Sequence, residues 1–157
     1  MKIARGIVAV VAGIALWNVL IRMLETALVS ALAGAPVASP EAFATIGGSL
    51  PVVLARLLYT GVVAMMAGYV VARIASHDPL RHAIIGAVFA SLILSVGFAF
   101  GLGSPAPWWA DAILVIDSAA GFTVGGALRA AAAAAEAKRT QEGGRSEEHT
   151  SELQSRG

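Results

Sequence analysis

The sequence predicts an all-α membrane protein, an antiparallel bundle of four transmembrane helices. Three observations carry that expectation. Four apolar runs each approach or exceed the roughly 20 residues that cross a hydrocarbon layer at about 1.5 Å rise per residue. The chain of 157 residues is 57% hydrophobic and only 13% charged, with a mean hydropathy of +0.77, beyond the apolar content of ordinary soluble domains. The Lys and Arg that flank the runs fall on alternate connections, which is how short loops record their side of a membrane.

The first span is placed at residues 4–25. It starts behind Lys2 and Arg5, is apolar from Ile7 to Ile21 except for Asn18, and meets Arg22 and Glu25 near its far end. A second apolar stretch, Ala27 to Ala33, extends it as a surface-lying piece until Gly34, Pro36 and Pro40 break the helix. A cleaved signal peptide is the competing reading of this end. Ala31-Leu32-Ala33 imitates a cleavage site but lies too far past the apolar core, with two charges between.

Residues 34–51 read as a Gly-, Pro-, Ala- and Ser-rich loop. The second span, 51–74, opens on Pro51, whose missing N–H is no loss at a helix start. ASHDPLRH (75–82) is a polar turn, because Asp78-Pro79 interrupts a helix. The third span is 83–100, GLGSPAP (101–107) a tight turn, and the fourth span 108–128. Ala130 to Ala137 is nearly all alanine, the best helix former, so residues 130–144 are expected to carry the fourth helix into water, with Glu136 and Arg139 paired one turn apart.

Residues 145–157 read RSEEHTSELQSRG, and 145–155 resembles the in-frame translation of a sequencing adapter. That tail is expected to be non-native and disordered, with the natural C-terminus missing, and it is set aside from fold reasoning as a tag would be. His149 lies within it and is expected to carry no chemistry. Without the tail, nine Lys and Arg stand against seven Asp and Glu.

Orientation follows from the flanking charges. Lys2, Arg5, Arg73, Arg81, Arg129, Lys138 and Arg139 lie at one end of the spans, and the loops at 34–51 and 101–107 contain no Lys or Arg. Cations in short loops stay cytoplasmic, so both termini are expected there. Trp108 and Trp109 open the fourth span at the opposite end, at the level where amphipathic aromatics anchor in headgroups.

Charges within spans are the candidate site. A charged side chain in hydrocarbon costs ~2.5–3.5 kcal/mol on insertion scales and therefore usually faces protein or water. Asn18, Arg22 and Glu25 share a helix face at i, i+4, i+7; Arg56 and Thr60 share one in the second span; Asp111 and the deeper Asp117 lie in the fourth. One reading is an outward-opening polar site with Asp117 protonatable or cation-binding. The other is an ion-pair network that fixes helix register, with Arg22 and Arg56 able to snorkel. Asp117 is expected to face the interior, since it shares a face with Gly121 and Gly125.

Small-residue stripes predict close helix contacts: Ala64, Gly68 and Ala72 in the second span, Gly86 and Ala90 as well as Gly97 and Gly101 in the third, Gly121 and Gly125 in the fourth. They serve either the bundle itself or a dimer seam.

Other chemistry finds little support. No cysteine exists, which excludes disulfides and thiolate metal sites. His77, Asp78 and His82 lack a further zinc ligand and read as a solvated turn. Met65-Met66 reads as gap-filling apolar side chains. There is no phosphate loop with its lysine, and no Ser/His/Asp set. The net charge of +1 implies no nucleic-acid footprint. No enzyme activity, metal or cofactor is expected.

Arg56-Leu57 followed by Ala67-Gly68-Tyr69-Val70-Val71-Ala72, together with Pro107-Trp108-Trp109 and the closing Gly125-Gly126-Ala127-Leu128-Arg129, resembles a group of small four-helix bacterial membrane proteins of unknown function. Members of that group often carry Trp-Tyr-His after the proline. Here Trp109-Ala110 stands in its place, so no role of that histidine transfers. The resemblance covers mainly spans two and four. It implies a bacterial inner membrane and supplies no activity. The expectation is a structural or accessory protein acting through helix contacts, with membrane lipids and either a second copy or a larger membrane protein as partners. The alternative is an oligomeric transporter or channel subunit for a small ion or solute, using the polar cluster with Asp117.

Overall fold

The computed structural model describes residues 2–34, 45–75, 77–100 and 106–155, with side chains described in 4–34, 45–75, 77–100 and 106–142. Four helices account for nearly all of it: α1 (Lys2–Ala33), α2 (Leu50–Ala75), α3 (Pro79–Ala99) and α4 (Trp108–Ser155). There is no strand among the described residues. Each helix contains a window long and apolar enough to cross a membrane, and the chain is a multi-pass membrane protein of the all-α class.

Helix ends fall where local chemistry puts them. Gly34 closes α1 in the left-handed conformation, φ 68°, which glycine adopts without a Cβ penalty. Between α2 and α3 the chain turns through His77 and Asp78. Asp78 is also left-handed, φ 49°, a conformation its short polar side chain tolerates, and Pro79 then starts α3 with its ring at the first helical position.

The first helix is one unbroken element to Ala33, continuing past Glu25 as expected, and Val29 near its end is fully buried. Helix α4 runs on to Ser155. A helix already nucleated propagates at one hydrogen bond per residue, and neither the alanine run nor EEHTSELQ contains a proline to stop it. In that extension Glu136 pairs with Arg129 at 3.5 Å and Lys138 with Glu142 at 3.8 Å, rather than Glu136 with Arg139. Most of the loop at 34–51 and of the turn at 101–107 lies outside the described residues, as does Gly101.

The helices form a rhombus rather than a square. Helices α2 and α3 each touch all three others, whereas the backbones of α1 and α4 make no close approach among the described residues. The most extensive contact joins α2 to α4, a parallel pair, since Gly61 meets residue 117 and Gly68 meets residue 122. Glycines set this distance. A Cβ at Gly121 would lie 2.8 Å from the Gly61 carbonyl oxygen, one at Gly125 would run into the Met65 carbonyl, and one at Gly68 into the backbone of Phe122. Lipid tails are as apolar as leucine, so burying apolar area drives little, and close backbone approach over small residues supplies the van der Waals contact instead.

Aromatic rings fill the gap between α1 and α4. Trp17 meets Phe122 edge to face with centroids 6.1 Å apart, a favoured geometry for aromatic quadrupoles. Both are almost completely buried. Phe122 also rests on Gly86, whose Cβ would lie 3.2 Å from the ring. Around this centre the buried set is mostly small: Ala64, Ala67, Ala72, Ala83, Ala87 and Ala90. Large apolar side chains point outward instead, among them Leu58, 75% exposed, and Ile116, as a lipid solvent favours.

Two glycine substitutions should separate seam from surface. Gly68→Leu is expected to destabilise the bundle by about 3 kcal/mol, the upper range of overpacking costs, and to lower its thermal midpoint in detergent. Nothing lies within 4 Å of a Cβ at Gly97, so Gly97→Ala should leave that midpoint unchanged or raise it, by up to about 1 kcal/mol of helix propensity.

Candidate functional site

The bundle buries polar side chains chiefly in the half nearer Trp108. Arg56, only 4% exposed, extends from the second turn of α2 and donates from Nη2 to the Glu25 carboxylate near the end of α1. Tyr59 and Asp111 stand close enough to Arg56 to feel its charge. Three helices thus converge on one guanidinium. Counting about 1.5 Å per residue, it sits about 9 Å below the start of α2.

A second layer lies roughly one turn deeper. Thr60 is 2% exposed and Ser118 is completely buried. Asp117 lies against the α2 backbone at Gly61, where an added Cβ would be 2.6 Å from its Oδ1. Gly61 is therefore what lets an acid enter the α2–α4 seam. Beyond this layer, Trp17 and Phe122 close the centre toward the His77 end.

These groups are under-partnered. Nε and Nη1 of Arg56, Oγ1 of Thr60, Oδ1 of Asp111, Oδ2 of Asp117, Oγ of Ser118 and Nε1 of Trp17 are buried without a protein hydrogen-bond partner. A hydroxyl on a helix ordinarily relieves itself on the carbonyl four residues back. Thr123 does so, donating to Ala119 at 2.8 Å, and Thr140 likewise to Glu136 at 3.1 Å. Thr60 and Ser118 make no such bond. Buried polar groups of this kind call for water or an ion as the missing partner. Among the described residues, no three His, Asp or Glu side chains converge tightly enough to hold a metal ion.

The residues singled out from the sequence are placed unequally. Glu25, Arg56 and Asp111 come together, while Thr60 and Asp117 form the layer below. Asn18 and Arg22 do not join them: both are exposed on the outer face of α1. Residues on a helix advance by about 100° each, so Arg22 and Glu25, although on one broad face, point about 60° apart, and only Glu25 reaches α2. Ala64, Gly68, Ala72, Gly86, Ala90, Gly121 and Gly125 are all buried. Trp108, 81% exposed, and Trp109 lie on the surface at the start of α4.

Sequence reasoning did not single out Gly61, Trp17 or Ser118. The spacing Gly61-x-x-Ala64-x-x-x-Gly68 contained the signal for Gly61. It also passed over Gly6 and Gly13 of α1, on which His82 and Val71 lie.

The Glu25–Arg56 pair yields a double-variant test. Arg56→Leu strands a largely buried carboxylate, which typically costs about 3–5 kcal/mol. Replacing both residues by Leu removes the stranded charge as well, and should recover most of the thermal stability lost by Arg56→Leu alone. Compared with family models, with curated proteins and with solved structures, the chain matches none.

Proposed function

We propose that this chain is a bacterial inner-membrane protein, both termini cytoplasmic, that works by helix contacts with a second copy of itself or with a larger membrane protein. The flanking charges support the orientation: seven cations cluster at the His77 end and none stands in the loops opposite. One observation carries the contact reading. Arg22 and Asn18 are exposed on α1 although they lie deeper than the Glu25–Arg56 pair, Arg22 by about 4.5 Å and Asn18 by about 10 Å. A charge facing hydrocarbon is unfavourable, so this face calls for protein against it. Most of the small-residue stripes are meanwhile occupied within the bundle, Gly97 on α3 excepted, and the outer face of α1 is where an exposed charge lies within a span.

The chain lacks cysteine, so a single introduced thiol reports its neighbours without background. Arg22→Cys should give a cross-linked product in native membranes, whereas Leu58→Cys, on a strongly exposed apolar face, should not. Monomer alone from both variants would end the contact reading.

A second reading rests on the under-partnered layer at Thr60, Asp117 and Ser118: an ion- or proton-binding subunit of a transporter or channel, shut in this conformation by Trp17 and Phe122. Wild-type protein in proteoliposomes should then carry a proton- or cation-dependent flux that Asp117→Asn abolishes with the fold intact. Absence of flux in the wild type would remove this reading.

A further inference from the structure

A groove of about 560 Å³ opens between α1 and α3 at the His77 end, away from the polar cluster. Its walls are Val10, Val11 and Ile14 from α1, and Ile85 and Phe89 from α3. The two helices run parallel here: Gly6 lies beside His82 near both helix starts. Each wall therefore extends about 12 Å from the end of the bundle toward its middle, counting eight residues from Gly6 to Ile14 and from Arg81 to Phe89.

The mouth of the groove differs from its walls. His77, Asp78, Arg81 and His82 line it. The only acid among them, Asp78, is engaged by His77 Nε2 at 3.3 Å. His82 Nδ1 is held at 3.0 Å from the Asp78 carbonyl oxygen, and its Nε2 lies over Gly6. Arg81 is exposed at the rim. Arg5 stands at the same end, with Nε donating to the Ile74 carbonyl at 2.7 Å. With Arg5 and Arg81 against Asp78, this end of the groove carries one net positive charge, directly above an apolar slot.

We propose that this groove seats one anionic phospholipid from the leaflet at the His77 end, with an acyl chain between α1 and α3 and its phosphate on Arg81. The apolar walls run about 12 Å below a rim that carries Arg81, the arrangement that an acyl chain beneath a phosphate fits. Charge then selects among lipids, because basic pockets between transmembrane helices favour anionic headgroups and each near-surface cation contributes about fivefold in affinity. Gly6 leaves room for His82 to fold over α1 at the mouth.

The test uses the full chain extracted from membranes holding equal phosphatidylglycerol and phosphatidylcholine, with retained lipid counted by native mass spectrometry. Wild type should keep one phosphatidylglycerol in preference to phosphatidylcholine. Arg81→Gln should lower that preference about fivefold, while Arg73→Gln, a cation at the same end outside the groove, should not. Val11→Trp, which fills the slot, should lower retention of both lipids. Excess inorganic phosphate should displace neither. Equal retention of the two lipids by wild type, identical behaviour of the Arg81 and Arg73 variants, retention undiminished in Val11→Trp, or displacement by phosphate alone would each overturn the proposal.

Discussion

Helices already in a bilayer gain little by moving apolar side chains from lipid to protein, so what holds them together must come from closeness. In this protein closeness is concentrated between α2 and α4, where Gly61, Gly68, Gly121 and Gly125 bring two parallel backbones into contact. The rest of the bundle is arranged around that seam. Phe122 stands on it and reaches across to Trp17. Helix α3 covers its other flank through Ala83 and Gly86, and α1 completes the bundle through Gly13 and Val71. Because α2 and α4 are not consecutive in the chain, the seam also fixes which helices are neighbours.

The same closeness admits the polar layer. A side chain with a Cβ at position 61 would occupy the place of the Asp117 carboxylate, so the glycine that tightens the seam also makes room for an acid within it. Above this layer, Arg56 ties α1 to α2 through Glu25 and lies beside Asp111 of α4. Such a pair brings little net stability, because each ion gives up its hydration, but breaking it is costly. It therefore specifies how three helices are aligned more than how tightly they adhere.

The two ends of the bundle divide the chemistry. Toward Trp108 the charges are inside, on three helices, and several of their polar atoms lack protein partners. Toward His77 the charges are outside, predominantly cationic, and rim an apolar slot. Trp17 and Phe122 separate the two regions.

Much of this was legible in the residues alone. Four long apolar runs, their Gly and Pro breaks and the alternation of flanking cations determine a four-helix membrane protein, because hydrocarbon thickness and unsatisfied backbone groups permit little else. The small-residue stripes marked the seam, and the charges within spans marked the polar layer. Sequence could not say which helix each stripe would meet, nor that Glu25 alone of the Asn18, Arg22 and Glu25 face would turn inward. Position around a helix is known from periodicity to within a broad sector, whereas partner choice depends on how helices distant in sequence are set side by side. Only the tertiary structure decided that α2 lies parallel to α4, that Gly61 receives Asp117, and that α1 and α3 leave a slot between them, because each of these depends on distances between helices that no single helix encodes.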